Sequence, residues 1–475
     1  MKSVTQELRD FVTETGPMSN YFSRSHEEFN ELKHKLDRFL ASTMDEVRLD
    51  SAGECTRKIL KVADLQDLEM LREGVWKREA SGVISYSGQR DHTAHTLNNW
   101  LLGWYLYTHS SVVKNNIGDQ IRARKWDEEE FDVDTYFGHL WQFTSLLHDV
   151  GYLFEGSLST MDPAVQSTQA MIGARILDDY FQTRLWTETS LGSTNDQRVL
   201  FNQLNLEPPQ LPNEQPSLAR IAFYLRELGD LTDLGEWVDH SMSLTDSKTH
   251  SFPADAFDLW EMHFKLFNQP EAAKRIRHVE SAFHHYVNYG QPGLGIRILD
   301  HAVCSGLTLL KIATFFYTMM AKMEHYTGSE EPANTIVKRV RERTVEYNYN
   351  PKFWWTGIVW ATASTAIHNL QQAKGSWCEG VNQEPLKIEE EPLGYLGVLV
   401  DCIQEWDRYF VFSTAERLPV QGNDVTLSRD ANKVIINLGN LKRAEKIRAE
   451  LDSALVDWTD IIELLPKKQT CSQPT

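Results

Sequence analysis

The sequence predicts a mainly α protein with a small β element near its C-terminus. Three observations carry this. Apolar residues recur at helical spacing along most of the 475 residues, as at Phe29, Leu32, Leu36 and Phe39. A strand pattern is confined to Asp424–Leu427 and Lys433–Leu438, which flank Ser428–Asn432 and read as a hairpin. Breaks rich in Gly, Pro, Asn and Ser separate the helical stretches at Ser81–Gly88, Leu191–Pro216 and Gly375–Pro392.

In chain order, the helical period runs over 29–39, 60–75, 92–113, 136–150, 164–185, 217–232, 254–267, 271–287, 296–326, 352–373 and 392–410. Prolines 208, 209, 212 and 216 mark an insertion near 186–216, expected on the surface because its polar content cannot build a core. The acidic run 389–391 places the loop 375–392 in solvent. A charged helix over 441–464 follows the hairpin, and the tail 466–475 is expected to be disordered. No repeat of 20–50 residues is visible.

Lys plus Arg total 48 against 67 Asp plus Glu, a formal charge of −19. Phosphate neutralisation along DNA or RNA needs a basic surface, so long nucleic acid is a disfavoured partner. The five cysteines, at 55, 304, 378, 402 and 471, form no CxxC pair. That usage fits reduced thiols, not a disulfide framework or a zinc–cysteine site. The N-terminus lacks an apolar signal stretch, and the apolar run Ile358–Ala366 is too short to span a bilayer. The expectation is a soluble, cytoplasmic protein with no membrane partner. No phosphate-binding loop, GxGxxG, HExxH or GxSxG motif is present.

The densest chemistry lies in FTSLLHDVGYLFE, residues 143–155, where an apolar helix runs into His148 and Asp149. Neighbouring helical residues point about 100° apart, so this pair shares one ion only near a helix end. Four other apolar helices carry ionisable groups: His92 and His95 after Arg90, Asp300-His301 ahead of AVCSGLTLLKIA, His368 in WATASTAIHNL, and Asp401 in LGYLGVLVDCIQEWDR. Burying a His or Asp is costly unless it is paired or metal-bound. Imidazoles and carboxylates together suit Zn, Fe, Mn or Mg. His92 and His95 share a helical face; His95 is preferred as the ligand because it lies deeper in the apolar helix. His284-His285 could compete with His301, but the pair adjoins Tyr286 and a Gly-Gln-Pro turn and reads as a solvated or core doublet.

Over 85–412 this pattern resembles the HD superfamily of metal-dependent phosphohydrolases. The family's His…His-Asp…Asp motif matches His95, His148, Asp149 and Asp401, and the strings RDHxxH, HDxGYxxE and DxxQEWxR resemble one bacterial branch. Some branches carry two further histidines, which His301 and His368 match in order. The resemblance implies an HD-type helical catalytic domain at 85–412, leaving an N-terminal helical region at 1–84 and a C-terminal hairpin and helix at 413–475. It implies one or two divalent ions: His95, His148 and Asp401 on one, His301 and His368 on the other, and Asp149 between them. The implied reaction is hydrolysis of a phosphorylated small molecule, a nucleotide first among them, by an activated water. A di-iron oxygenase, of which inositol oxygenase is the type, uses a similar ligand set. An HD fold that senses a nucleotide without catalysis is the third reading. Homo-oligomerisation stays open.

Gln404, Glu405 and Arg408 follow Asp401 by three, four and seven residues, so a continuing helix would put all four on one catalytic face. Arg408 would then reach a remote phosphate; its alternative is a surface pair with Glu405. Tyr152 and Glu155 are placed to orient substrate or a ligand histidine. Arg90, with His92 beside it, and Lys311 are the nearest basic groups for a phosphate. Cys304 and Cys402 are not assigned as ligands.

Overall fold

The computed structural model of the chain describes residues 2–22, 26–43, 45–62, 65, 68–80, 92–124, 132–154, 173–181, 194–207, 218–232, 234, 255–289, 301–331, 334–338, 351–369, 384–407, 421–430 and 433–465. The predicted helical class holds. Helix α1 (Val4–Thr13) starts behind Ser3, whose hydroxyl accepts from the Gln6 N–H, and buries Val4, Leu8, Phe11 and Val12 along one face. Helices α2 (Pro17–Phe22), α3 (His26–Ala41), α4 (Asp45–Lys61) and α5 (Glu69–Ala80) complete the N-terminal layer. The single helix expected over 60–75 is two, because the chain leaves the helix after Lys61 and re-enters it at Glu69.

The layer packs on α6 (Thr93–His109), which is buried nearly throughout. Ser110 ends α6 and caps α7 (Ser111–Ala123), dividing the stretch expected over 92–113. Asp132 then caps α8 (Val133–Trp141). Gly103 lets α6 and α8 meet: a Cβ there would lie 2.0 Å from the Trp141 ring. The Trp141 indole N–H donates to the Trp100 carbonyl at 3.0 Å.

Helices α9 (Thr194–Leu204), α10 (Leu218–Gly229), α11 (Ala256–Leu266) and α12 (Pro270–Tyr289) follow, then the 25-residue α13 (His301–His325). Helix α9 corrects the expectation of an exposed 191–216 insertion for Thr194–Leu204, while 191–193 and 208–216 lie outside the described residues. Leu200, Phe201 and Leu204 are buried, with Phe201 5.8 Å from Phe315 of α13 between ring centroids. The prolines fall after this helix, whose Leu200, Phe201 and Leu204 keep helical spacing. Helix α13 falls within the helical period expected over 296–326, and between His301 and Met323 it is long and apolar enough to cross a membrane. Here most of it is buried inside the protein. It lies along α14 (Val359–Ile367), where a Cβ on Gly306 would meet the Thr362 carbonyl oxygen at 2.7 Å.

Helix α15 (Pro392–Ile403) precedes the C-terminal unit, whose helix is α16 (Leu441–Ala454). Strands β1 (Lys2–Ser3), β2 (Thr426–Asp430), β3 (Lys433–Asn437) and β4 (Ile462–Leu465) form one sheet in that order. The expected hairpin is β2–β3, antiparallel, with Leu427 opposite Ile436. The expected helix over 441–464 stops at Ala454: Asp457 takes a left-handed φ of 54°, and β4 then pairs parallel to β3, Ile462 opposite Val434. The β-favouring Ile461 and Ile462 fill that sheet and are fully buried. The loop 375–392 is described only from 384, and its end corrects the expectation of a loop in solvent: Leu386, Ile388 and Glu391 are buried, with the Leu386 N–H donating to the Ala454 carbonyl at 2.8 Å. The tail 466–475 lies outside the described residues.

Candidate metal centre

Helix α8 does not run unbroken to His148. A π-helical turn over Gln142–Leu146 inserts a wider loop of backbone, and the chain leaves the helix at Leu147. Thr144 donates its hydroxyl to the Leu140 carbonyl at 3.2 Å, and Ser145 donates to Trp141, a back-bonding that bends helices. Asp149 then sits at φ −98°, ψ 3°, ahead of a short 3-10 turn over Val150–Leu153. The pair thus occupies the helix end that sharing an ion requires. A second π-helical turn, Trp354–Ile358, precedes α14, which ends at His368. The Tyr136 hydroxyl of α8 and the Thr356 hydroxyl of that second turn lie 2.7 Å apart, joining the two distorted segments.

These elements bring His95, His148, Asp149, His301 and His368 together, all buried, with Asp401 of α15 partly exposed beside them. Asp149 Oδ1 lies 3.3 Å from His148 Nε2 and 3.5 Å from His301 Nε2, while Oδ2 lies 4.0 Å from His95 Nε2. Asp401 Oδ1 lies 2.7 Å from His95 Nε2 and 3.7 Å from His148 Nε2. The His148 and His368 rings meet edge-on at 4.9 Å, and those of His301 and His368 at 5.3 Å.

The second nitrogens show how the rings are set. His148 Nδ1–H donates to the Ser145 carbonyl and His368 Nδ1–H to the Thr365 carbonyl, each at 2.7 Å. Both therefore turn Nε2 inward as a lone-pair donor, the arrangement in which histidines ligate metals. Neither Nε2, nor Asp149 Oδ2, has a hydrogen-bond partner among the described residues. Buried polar atoms left this way are uncommon and call for an ion or water. Two groups could hold a metal ion, His95 with His148 and Asp401, and His148 with Asp149 and His368; the ligand atoms within each lie within 4.8 Å of one another. The first is the expected trio. The second joins His148 and Asp149 to His368 in place of the expected pairing of His301 with His368; the His301 ring is stacked flat on Tyr152 at 4.0 Å and 11°.

Electrostatics agree with a cation site. Burial alone would raise the pKa of Asp149, but the imidazoles of His148, His92, His301 and His95 outweigh it and hold the carboxyl below its usual range. Asp401 follows the same balance, burial overcome by His148 and His95. Burial also opposes charge on His148, and Asp149 and Asp401 outweigh it, raising that imidazole. His368 is pushed down to about 3 by burial and by the His148 and His301 rings, so it is neutral near pH 7, as a metal ligand must be.

The other expected residues are distributed differently. His92 stands at the N-cap of α6, its ring 4.1 Å from Tyr152, and belongs to neither ligand group. His284 pairs with Glu280 at 3.7 Å on α12. Lys311 is buried and donates to the Asp230 carbonyl, so it serves the end of α10, not a phosphate. The shared face expected of Asp401, Gln404 and Glu405 is corrected: α15 ends at Ile403, and Gln404 is already extended at φ −78°, ψ 91°. Gln404 accepts from His95 Nδ1–H and orients that ligand, whereas Glu405 faces Arg443 of α16 at 3.8 Å. Cys304 and Cys402 are buried and in neither ligand group. Arg90, Glu155, Asp300 and Arg408 lie outside the described residues, as does the His285 side chain.

Sequence reasoning missed Asn99. Its Nδ2 donates to Asp401 Oδ1 at 3.3 Å and lies 3.1 Å from His95 Nε2. Its signal was present: a buried amide four residues after His95, on the same face of an apolar helix. Compared with protein-family models, curated proteins and solved structures, the chain has no match.

Proposed function

We propose that the chain is a metal-dependent phosphohydrolase acting on a phosphorylated small molecule, a nucleotide first, in the manner of the HD superfamily it resembles. The observation that carries this reading is the pair of buried histidines, His148 and His368, whose Nδ1–H groups are tied to backbone while Nε2 is presented to Asp149. A divalent ion held there supplies Lewis acidity toward a phosphoryl oxygen and lowers the pKa of water. The residues do the rest. Asp149 and Asp401 bring two negative charges that favour a cation, and Asn99 fixes the Asp401 oxygen nearest His95. Asp401, Tyr152 and His92 are the partly exposed members, and substrate approaches from their side. The overall charge of −19 favours a small phosphoester over a nucleic acid strand.

The test is metal analysis of the purified protein by plasma mass spectrometry, with a phosphate-release screen over nucleotides in Mn²⁺ or Mg²⁺. Bound metal and released phosphate support the reading. An iron pair with O₂ consumption and no phosphate release would transfer the site to oxygenase chemistry.

A further inference from the structure

His95 differs from His148 and His368 in what holds its Nδ1. The other two rings donate to carbonyls three residues back, so their own helices orient them. His95 donates to Gln404 Oε1, a residue 309 positions away and beyond the end of α15. A carboxamide can present either end, and the second end decides which. Gln404 Nε2 donates to the Trp406 carbonyl at 2.5 Å, which leaves Oε1 for His95. Flipping the amide would set oxygen against oxygen and N–H against N–H.

The Trp406 carbonyl lies in irregular backbone, and Asp407 beside it has a left-handed φ of 55°. Arg48 of α4 holds that turn. Its guanidinium meets Asp407 Oδ1 at 2.8 Å and donates also to the Ser42 carbonyl, while Oδ1 accepts from the Gly422 N–H at 3.0 Å. Arg48, Gln404, Trp406 and Asp407 are all buried. Arg48 and Asp407 belong to no ligand group, and an isolated buried pair is weak evidence for stability alone.

We propose that Arg48 and Asp407 are positioning residues for His95, acting through the Trp406 carbonyl and Gln404. The clamp keeps hydrogen on His95 Nδ1 and aims Nε2 at Asp401. The N-terminal helix α4 is in this way part of the centre. Only the cation-affinity arm of the test rests on the metal reading.

The first arm needs no metal. Metal-free, full-length protein carrying ¹⁵N-histidine is examined by NMR, with His95 identified by the signal lost in His95→Gln. In the metal-free wild type, hydrogen is expected on Nδ1 toward Gln404, beside the Nε2 hydrogen that Asp401 Oδ1 accepts at 2.7 Å. In Gln404→Leu only the Nε2 hydrogen should remain. Arg48→Met should give a mixture of the two forms. Asp407→Asn carries the same test if Arg48→Met does not fold, because Asn tolerates the left-handed turn. Gln404→Leu with hydrogen still on Nδ1, or a folded clamp variant with the wild-type spectrum, would overturn the proposal. In the second arm, Co²⁺ affinity should fall about 10–100-fold in Gln404→Leu and by a smaller factor in Arg48→Met. A wild type that binds no Co²⁺ would sink the metal reading, while the NMR comparison still decides this one.

Discussion

Asp149 divides its oxygens between two sides of the centre, Oδ1 toward His148 and His301 and Oδ2 toward His95. Replacing Asp149 with Ala should therefore strip the metal from the protein entirely, as read by plasma mass spectrometry; unchanged occupancy would contradict its bridging place. His95→Ala should lose metal as His148→Ala does, while His92→Ala should retain it, since His92 leans on Tyr152 outside both ligand groups. Gly151 gives a sharper test of backbone geometry. A Cβ there would lie 1.9 Å from the His301 carbonyl oxygen, and its N–H donates to Ser305 at 2.7 Å. Gly151→Ala must push the start of α13 away, costing about 1–3 kcal/mol and weakening metal retention by drawing His301 Nε2 away from Asp149 Oδ1, 3.5 Å from it. A variant with wild-type metal content and an unmoved melting temperature would show that the contact gives way freely. The ligands were legible because each His or Asp interrupts an apolar helix. Gln404 was misread because helical spacing was carried past Ile403, where the helix stops.

Among the elements, α14 and α15 deliver His368 and Asp401, and Glu391 ties them together. Its carboxylate accepts from Trp360 Nε1 at 2.5 Å and from the Ser364 hydroxyl at 3.0 Å, both on α14, and it caps α15 through the Gly394 N–H. The Arg124 guanidinium lies 3.7 Å over the same Trp360 ring. Glu391→Ala leaves those buried donors without an acceptor and removes the cap, so stability should fall by about 3 kcal/mol or more. Glu391→Gln, which keeps one acceptor oxygen, should lose less. Urea unfolding would show this as a lower midpoint at unchanged slope; equal midpoints for Glu391→Ala and the wild type would remove Glu391 from the account. At this scale the sequence reading found α11 and α12 nearly to the residue, since their apolar positions keep a strict 3.6 period. It could not find the π-helical turns before His148 and His368, which shift the period only after the backbone has widened. The parallel β4 was equally hidden, because its partner β3 lies across the intervening α16.

At the scale of the whole molecule, the N-terminal strand joins the C-terminal unit. Strand β1 pairs with β2, Lys2 opposite Leu427, and the Val4 N–H donates to the Val425 carbonyl at 2.8 Å. The N-terminal region and the C-terminal unit, read from the sequence as opposite ends of the chain, therefore share one sheet. His109, at the end of α6, lies at their junction. Its ring meets Phe11 of α1 edge-on and stands 2.9 Å from the Arg429 guanidinium of β2, with Glu14 at 3.9 Å and Tyr105 against it. Burial, then the Arg429 charge, lowers the His109 pKa to about 4. The unfolded chain takes up this proton near the ordinary value of about 6.5, and the folded chain resists until about 4. Between those values the unfolded state binds more protons, so stability contributed at His109 falls as pH drops through this window. His109→Phe keeps a ring against Phe11 but cannot take up a proton. The gap in urea midpoint between wild type and this variant should shift toward the variant from pH 7 to pH 4.5. Glu14 sits close enough to oppose the effect if it turns toward the ring at low pH, and Glu14→Gln then enlarges the shift. A gap that stays constant across that range would show that the docking of the N-terminal region on β2 does not depend on a neutral His109.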